Sequence, residues 1–282
     1  MRGTGAPATL SPSIRMDPAM NAPLRLAVTG ATGRMGRTLL DLLRDDARFE
    51  VVAAITAPGV PQLGERAWHD RVSPCIQADW PQAPLDVVID FSGPGGLSSA
   101  LEHCQRHGIA LVSGTTGIDA ALKARVAAAA ARIPLMHASN FSLGVAVLAR
   151  LLRQAAAALP EWDLEIVEAH HGRKLDAPSG TALTLGEVAA TARGTTLAQE
   201  GVTGERDGAR RAGSIGFAVV RGGDIVGEHT ALLIGPGERV ELGHRATDRS
   251  IFARGAIEAA HWLCGRAAGA YDLQAMLAER LA

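Results

Sequence analysis

The stretch that decides the fold is LRLAVTGATGRMGRTLLDLL, residues 24–43. It opens as a short apolar run, passes through three glycines and continues as a helical pattern. Gly30 permits a tight turn, Gly33 lets the backbone approach a pyrophosphate, and Gly36 lets helix and strand pack closely. This spacing, G-x-x-G-x-x-G, is a variant of the dinucleotide-binding fingerprint. It predicts a helix whose free N-terminal N–H groups face phosphates.

Strand-like and helix-like segments continue to alternate beyond this stretch. Further apolar runs lie at 50–56, 86–92, 109–115 and 134–139. Helical stretches follow Gly33 and Gly96 and precede Pro134. Strands alternating with helices of this length indicate βαβ units and a parallel, doubly wound sheet. A glycine turn that serves packing alone is the alternative. The position of the glycines after the first strand of such a series favours nucleotide binding.

The pattern changes after Asn140. A helix is predicted over 143–158, followed by the strand DLEIVEAHH, a polar loop and a helix that begins near Ser179. Three strand-like runs then occur at 214–221, 225–235 and 238–247. Because their connections, RGGD and GPGE, are short and rich in turn residues, these strands are expected to be antiparallel. Residues 251–264 and a segment from Asp272 are predicted to be helices.

These patterns predict an α/β chain of two parts. The first is a Rossmann domain with a doubly wound parallel sheet. The second is an α+β domain with a mixed, mostly antiparallel sheet.

Composition narrows the classes of function. Lys and Arg number 28 against 29 Asp and Glu, for a formal net charge of −1. That balance argues against a chain that coats nucleic acid or an anionic membrane. No apolar run approaches the roughly 20 residues that span a bilayer. Cys75, Cys104 and Cys264 are scattered and lack metal-ligand spacing. We therefore expect no nucleic-acid or membrane partner and a reducing, cytoplasmic location.

The first 21 residues are rich in Pro, Ser and Thr and lack the apolar core of a secretory signal. Residues 1–21 are expected to be a disordered leader. Because Met16 and Met20 lie just before the first predicted strand, an over-long start assignment explains the segment equally well. A targeting role is the alternative to both.

The motif richest in chemistry is EAHHGRKLDAPSGTAL, which starts at Glu168. His170 and His171 end the predicted strand, where neighbouring side chains point to opposite faces, so they should have different roles. A histidine can supply a proton near pH 7, and Lys174 offers a cation for a substrate carboxylate or for proton donation. Ser179 predicts an N-cap whose helix can hold a second anion with its N–H groups. This set suits a small dicarboxylate that is protonated as it is reduced.

Two other interpretations of this motif stay open. The histidine pair can be a solvated strand end and Lys174 a surface charge. Glu168, His170 and Asp176 can also be combined into a metal site, although no HExxH or CxxC spacing supports one. No GxSxG elbow occurs, which disfavours a serine hydrolase.

The motif closely resembles the signature of the 4-hydroxy-tetrahydrodipicolinate reductases, also called dihydrodipicolinate reductases. The resemblance extends to GATGRMG and to VSGTTG (112–117), ASNFSLGV (138–145) and RGGDIVGEHTALL (221–233), and it covers nearly everything from Leu24 onward. It implies NAD(P)H-dependent reduction of 4-hydroxy-tetrahydrodipicolinate, with hydride transfer to C4, in the diaminopimelate route to lysine.

The resemblance also implies roles for individual residues. His170 corresponds to the catalytic acid/base and Lys174 to the proton donor. His171, Gly180 and Thr181 correspond to substrate-binding positions. The implied cofactor contacts are Gly30, Ala31, Thr32, Gly33, Arg34, Met35, Gly114, Thr115, Thr116, Ala138, Ser139, Asn140 and Phe141, to which we add Thr56 from its place at the end of the second strand. No metal is implied.

Domain limits and assembly are implied in the same way. Residues 22–141 would form the dinucleotide-binding domain, completed by the helices within 251–282. Residues 142–250 would bind substrate and assemble a homotetramer.

Two positions depart from the family pattern. The family commonly has an acidic residue followed by Arg at the end of the second strand, where this chain has Thr56-Ala57. A threonine hydroxyl can bond a ribose but does not repel a 2′-phosphate, and Arg34 is a candidate clamp for one. The sequence therefore leaves NADH and NADPH both open. The family also often has a basic residue after the Asp-Phe pair that here precedes Ser92-Gly93.

The sequence is compatible with two alternative functions. One is another two-domain Rossmann dehydrogenase that acts on a small amino or carboxylic acid. The other is a non-catalytic nucleotide sensor, which predicts a site that has lost its histidine and lysine.

Overall fold

The computed structural model describes residues 22–204 and 207–280, so the leader expected at 1–21 lies outside the described residues. The first part of the described chain contains β1 (Leu24–Thr29), α1 (Arg34–Leu43), β2 (Phe49–Ile55), β3 (Ile76–Gln77), β4 (Val87–Asp90), α2 (Pro94–His107), β5 (Ala110–Ser113), α3 (Ala120–Ala129) and β6 (Pro134–His137).

The second part contains α4 (Leu143–Ala158), β7 (Asp163–His170), α5 (Gly180–Ala192), α6 (Leu197–Glu200), β8 (Gly201–Val202), β9 (Ile215–Arg221), β10 (Gly227–Gly235) and β11 (Glu238–Ala246). The chain then continues with α7 (Ser250–Leu263), β12 (Gly269–Tyr271) and α8 (Leu273–Glu279). The predicted helices over 143–158, near Ser179 and from Asp272 are confirmed.

Seven strands form one sheet in the order β12-β6-β5-β4-β1-β2-β3, and every neighbouring pair is parallel. One face is covered by residues of α1, α7 and α8, and the other by residues of α2 and α3. The predicted doubly wound parallel sheet is confirmed. The strand order reverses between β1 and β4, and ligands of open α/β sheets bind in the crevice outside the carboxyl ends at such a switch point.

Five strands form the second sheet in the order β11-β10-β7-β9-β8. β10 is antiparallel to both β11 and β7, whereas β9 is parallel to β7 and β8, so the sheet is mixed as predicted. Leu164, Ile166 and Leu233 alternate along their strands and pack with α4 and α5 in one buried cluster. Helices therefore cover one face of this sheet.

The expectation that the RGGD turn joins two paired antiparallel strands was wrong. β7 lies between β9 and β10, so the turn crosses the end of β7 instead of closing a hairpin. Its backbone is bonded there, because the Gly222 N–H donates to the His170 carbonyl at 3.0 Å and the Gly172 N–H donates to the Gly223 carbonyl at 3.3 Å. The turn chemistry was present, but the partner of each strand is set by tertiary pairing.

The C-terminal segment returns to the first sheet. β12 pairs in parallel with β6, and α7 packs against α1 and the strands. A Cβ on Gly255 of α7 would lie 1.8 Å from the carbonyl oxygen of Phe141. Only glycine therefore lets α7 approach the loop that follows β6. None of the helices in 22–204 and 207–280 is both long and apolar enough to cross a membrane.

Candidate active site

The glycine-rich loop after β1 is packed directly on the loop after β4. Gly30 has a φ of 77°, and a Cβ there would lie 2.4 Å from the carbonyl oxygen of Phe91. A Cβ on Gly36 would lie 2.1 Å from the carbonyl oxygen of Gly30. Gly33 is the N-cap of α1 and supplies no side-chain acceptor to the first-turn N–H groups. The N-terminus of α1 is thus held close to the carboxyl ends of the strands, and its first-turn N–H groups are free to bind an anion.

A cavity of about 630 Å³ opens beside this loop, and we call it the dinucleotide cavity. Its lining comprises Thr29, Gly30, Thr32, Gly33, Ile55, Thr56, Ala57, Pro58, Val60, Ala78, Trp80, Phe91, Ser92, Gly93, Pro94, Gly95, Gly96 and Ser99. It brings together four of the predicted cofactor residues, Gly30, Thr32, Gly33 and Thr56. Ala31, by contrast, is buried in the core and contributes packing. Arg34 and Met35 do not line the cavity.

A buried carboxylate that the sequence analysis did not single out links the carboxyl ends of the central strands. Asp90, at the end of β4, has no exposed surface and accepts hydrogen bonds from Thr29 Oγ1 at 2.6 Å and from Ser113 Oγ and Thr115 Oγ1 at 2.7 Å each. Ser92 Oγ donates to it as well. These hydroxyls come from the ends of three neighbouring strands and the loops that follow them. Thr115, predicted as a cofactor contact, therefore turns its hydroxyl inward.

The remaining predicted cofactor residues divide between core and surface. Gly114 lies against the ring of Phe91, since a Cβ there would meet it at 2.2 Å, while Thr116 is exposed. Phe141 is buried, and its ring centroid lies 5.8 Å from that of Phe91. A second cavity, of about 330 Å³, is lined by His137, Ala138, Ser139, Asn140, Ser142, Val145, Ala146, Ala149, Thr181, Thr184, Asp272, Leu273 and Gln274. It lies where the two parts of the chain meet.

The chemistry of the second sheet centres on Glu168. Alternation along β7 puts Glu168 and His170 on the helix-covered face, and Glu168 has no exposed surface. Arg221, from the end of β9, donates to both carboxylate oxygens at 2.7 Å each. His170 Nδ1 lies 2.6 Å from Oε2, and the Ser179 N–H donates to Oε1 at 3.0 Å. Burial alone raises the pKa of Glu168, but the hydrogen bonds from Arg221, His170 and Ser179 outweigh it and leave the pKa lowered.

An ionised Glu168 decides the tautomer of His170. A carboxylate only accepts hydrogen bonds, so His170 donates through Nδ1. Nε2 has no hydrogen bond to any residue in the described ranges, and it faces Gly227, where a Cβ would lie 3.0 Å away. The pair therefore fixes the orientation of the His170 ring and leaves its Nε2 available for proton transfer.

The loop that follows β7, residues 171–179, carries the predicted substrate contacts. Lys174 Nζ lies 2.8 Å from Asp176 Oδ1, and this ion pair lowers the pKa of Asp176. The pKa of His171 is lowered by partial burial and then by the positive charges of Arg249 and Arg173. A neutral imidazole amid cations marks a locally positive surface, which suits a dianionic ligand. Arg249 precedes α7 and carried no signal in the sequence.

The start of α5 joins this loop to the cofactor side. Ser179 caps the helix as predicted, because its Oγ accepts from the Ala182 N–H at 3.1 Å. A Cβ on Gly180 would meet nothing within 4 Å, so the helix end is open to a ligand. Asn140 Nδ2 donates to Thr181 Oγ1 at 3.0 Å. This bond ties the loop after β6 to the open N-terminus of α5.

The hypothesis of a metal site at Glu168, His170 and Asp176 finds no support. Both oxygens of Glu168 are occupied by a guanidinium, an imidazole and a backbone N–H. No group of three or more His, Cys, Asp or Glu side chains in 22–204 and 207–280 is arranged to hold a metal ion.

Two further histidines, which sequence reasoning missed, support the site from behind. Glu168, His229 and His244 lie in register across β7, β10 and β11. His229 Nε2 lies 2.9 Å from Ser179 Oγ, and His244 Nε2 lies 3.3 Å from Ser142 Oγ. His229 therefore contacts the serine that caps α5, and His244 contacts the serine that caps α4. Burial, and to a smaller extent the positive charge of the nearby His170, lowers the pKa of His229 to about 4.

A parallel sheet with a glycine-rich loop at its switch point, joined to an α+β unit with a Glu-His pair, defines a two-domain Rossmann-type oxidoreductase. Comparison with protein-family models agrees with this class and identifies the family. The model of the N-terminus of dihydrodipicolinate reductase matches residues 24–141, and the model of its C-terminus matches residues 144–277. The chain belongs to the dihydrodipicolinate reductase family.

Curated relatives support this membership. The 4-hydroxy-tetrahydrodipicolinate reductase of Thiobacillus denitrificans is 46% identical over 266 residues, which cover 90% of this chain and 98% of that protein. The enzyme of the same name from Nitrosomonas eutropha is 44% identical over 265 residues, which cover 91% and 99%. A solved structure of dipicolinate-bound dihydrodipicolinate reductase from Paenisporosarcina sp. TG-14 has a TM-score of 0.72 at 23% identity, covering 89% of this chain and 97% of that one, and shows the same fold.

The buried state of His229 predicts an acid-sensitive fold. Its pKa is about 4 in the folded chain against 6.5 in the unfolded one, so between these pH values only the unfolded chain binds the proton. Stability should therefore fall as pH drops from 7 to 4, by about 3 kcal/mol from this group. In His229→Gln this contribution disappears, and urea titrations at pH 7 and pH 4 measure the difference.

His69→Gln is the matched control, because His69 is exposed and its loss should leave the pH dependence unchanged. If His229→Gln loses as much stability on acidification as the unaltered chain, the burial of a neutral His229 is not a source of acid sensitivity.

Proposed function

We propose that this protein reduces 4-hydroxy-tetrahydrodipicolinate to tetrahydrodipicolinate with NADPH or NADH, in the diaminopimelate branch of lysine biosynthesis. Family membership and the names of the curated relatives support this reaction. The observation that carries it is the Asn140–Thr181 hydrogen bond of 3.0 Å. It sets a predicted cofactor loop directly against the open helix end that suits a substrate carboxylate.

The first part of the chain fits a pyridine nucleotide. The dinucleotide cavity of about 630 Å³ lies beside the uncapped N-terminus of α1, which favours phosphate. When bound, the reduced nucleotide supplies the hydride. We propose that it is held by Gly30, Ala31, Thr32, Gly33, Arg34, Met35, Thr56, Gly114, Thr115, Thr116, Ala138, Ser139, Asn140 and Phe141, with Ala31 and Thr115 acting through backbone position because their side chains face the interior.

The two carboxylates of the substrate call for two anion sites. The N–H groups at Gly180 and Thr181 form one, since α5 begins there and its helix dipole favours an anion. Lys174 forms the other, exchanging its contact with Asp176 for a substrate carboxylate. His171 lies in the same positive surroundings and is proposed to contact the substrate. Arg173 and Arg249 add long-range attraction.

Loss of the 4-hydroxyl together with a hydrogen of the neighbouring ring carbon releases water and leaves a carbon–carbon double bond in the ring. The reduction then adds one hydride and one proton across that bond. With hydride at C4, the proton goes to the neighbouring ring carbon. We assign its donation to His170 or Lys174. His170 is held by Glu168 through Nδ1 with Nε2 free, which is the geometry of a general acid. Lys174 is a cation in the loop that follows His170, and it can donate a proton once the substrate replaces Asp176 as its partner.

A division of labour between the two parts follows from this proposal. Residues 22–141, with 251–282, bind the nucleotide, and residues 142–250 bind the substrate and mediate assembly. The three cysteines are unpaired, which fits a reducing compartment and supports a cytoplasmic location.

The proposed assembly is a homotetramer formed through the second sheet. Its helices α4 and α5 pack on one face, and the opposite face carries Val167, Leu232, Ile234 and Val220 on adjacent strands. Val220 and Ile234 are 47% and 36% exposed. These apolar side chains lie among charged ones such as Glu165 and Glu228, and exposed apolar residues on a sheet face are suited to packing against another copy.

Replacing His170 by Gln should lower kcat by about 10²–10⁴-fold, because the general acid is removed while Glu168 keeps Arg221 as a partner. Steady-state kinetics with enzymatically generated substrate measure kcat, and nucleotide titration checks that cofactor affinity is retained. His69→Gln should behave as the unaltered enzyme. Full kcat in His170→Gln would exclude His170 as the acid.

Lys174→Ala should raise the KM of the dicarboxylate at least tenfold, since a charge-assisted contact to a carboxylate is lost. Lys123, the other lysine of the chain, is exposed on α3, so Lys123→Ala is the matched control. A large fall in kcat at unchanged KM would instead identify Lys174 as the proton donor and not as the carboxylate clamp.

Sedimentation equilibrium should give the mass of four chains, and Val220→Glu should give a smaller species because a charge is placed on the proposed interface. Val72→Glu makes the same substitution at a residue that is 92% exposed and away from this sheet, and it should leave the mass unchanged. A monomeric mass for the unaltered chain contradicts the homotetramer.

A further inference from the structure

The wall of the dinucleotide cavity at the end of β2 contains hydroxyls and no charge. Thr56 is the first residue after β2, and its Oγ1 lies 2.7 Å from Oγ1 of Thr32. Among the described residues that line the cavity, none has an ionisable side chain. In Rossmann domains, an acidic residue at this position bonds the adenosine ribose of NAD, whereas a nearby arginine accommodates the 2′-phosphate of NADP. The wall therefore has nothing that repels a 2′-phosphate.

Arg37 does not line the cavity, but it is anchored beside this wall through Thr32. It lies in the first half of α1, and its Nε donates to the carbonyl oxygen of Thr32 at 3.1 Å, next to the hydroxyl pair. Its two Nη groups bond no residue within 22–204 and 207–280. Arg44 and Arg48, which follow α1, are instead paired with Asp70 and Asp46.

Arg34 was the candidate clamp for a 2′-phosphate in the sequence, but the contacts single out Arg37. The side chain of Arg34 makes no hydrogen bond or ion pair within the described ranges, so nothing holds it against the cavity wall. Arg37, by contrast, is anchored through one N–H of its guanidinium. Because Arg37 is already partly immobilised in the free protein, its side chain loses less conformational entropy when it binds a ligand.

An anchored guanidinium is well suited to a phosphate. With Nε engaged, the Nη N–H groups remain as a planar set of donors that can bond phosphate oxygens in pairs. The threonine hydroxyls beside it can donate to the same group. No carboxylate lines the adjacent cavity, and no ion pair within residues 22–204 and 207–280 neutralises the charge of Arg37.

We infer that this chain binds the 2′-phosphorylated dinucleotide in preference to the unphosphorylated one, and that Arg37 is the residue that recognises the 2′-phosphate at the Thr32–Thr56 wall. This inference rests on the proposed function, in that it specifies which of the two nucleotides the cavity takes.

The test is calorimetric titration of the full chain with NADPH, NADH, adenosine 2′,5′-bisphosphate and 5′-AMP. The unaltered protein should bind NADPH and the bisphosphate at least tenfold more tightly than their counterparts without the 2′-phosphate, since hydrogen bonds to charged groups are the stronger ones. Arg37→Gln should abolish most of that ratio and leave NADH and 5′-AMP binding unchanged. Salt should weaken NADPH binding more than NADH binding.

Arg132→Gln is the matched control, since Arg132 is exposed just before β6, which three strands separate from β2. It removes the same charge and should keep the ratio. Thr56→Asp provides a second variant, because a carboxylate at the wall should suppress NADPH binding while NADH binding persists.

Distinct results overturn the two proposals. Equal affinity for NADPH and NADH, or an unchanged ratio in Arg37→Gln, overturns the role of Arg37 and leaves the reductase proposal intact. Failure of both nucleotides to bind the unaltered chain overturns the proposed function itself.

Discussion

The structure of the second domain depends on the buried ion pair between Glu168 and Arg221. A carboxylate without exposed surface is strongly destabilising unless its charge and lone pairs are met, and removal of one partner of such a pair typically costs about 3–5 kcal/mol. Meeting that requirement brings together the ends of β7 and β9 and the start of α5, through His170, Arg221 and the Ser179 N–H. Arg221 also donates to the Asp176 carbonyl at 2.8 Å, so the same group positions the loop that carries Lys174. The catalytic candidates are thus placed by one electrostatic constraint.

The first domain uses the same device with a different donor set. Asp90 is also fully buried at the carboxyl end of a central strand, but its partners are the hydroxyls of Thr29, Ser92, Ser113 and Thr115. Hydroxyls satisfy the lone pairs without adding a cation beside the cavity. Because the donors follow β1, β4 and β5, this network fixes the glycine-rich loop and the 114–116 turn relative to each other.

Local signals in the sequence predicted the elements well and their partners less well. The glycine spacing at 30–36, the N-cap at Ser179 and the alternation of β7 all act within a few residues, so they could be recognised directly. β12 has three residues and exists because it pairs with β6, which no local pattern reveals. The RGGD turn looked like a hairpin because its chemistry is local, whereas the insertion of β7 beside β9 is not. Arg221 and Glu168 are 53 residues apart, and Thr29 and Asp90 are 61 residues apart. Because these separations are long, no local sequence pattern predicts either hydrogen-bond network.

A protein that binds two anionic ligands side by side has to keep its own buried carboxylates from repelling them. Glu168 lies behind the proposed substrate site, yet its pair with Arg221 is neutral overall, so it does not cancel the positive charges of Arg173 and Arg249. Lys174 is paired with Asp176 until a substrate carboxylate takes the place of Asp176. At the dinucleotide cavity the carboxylate of Asp90 is enclosed by hydroxyls, and the wall at Thr56 carries no acidic group. Arg37 is then the cation whose charge a phosphate can take up. The near-zero net charge of the chain therefore conceals an uneven distribution of charge. The acidic side chains near the proposed ligands are hydrogen-bonded within the protein, whereas basic side chains are available to the ligands.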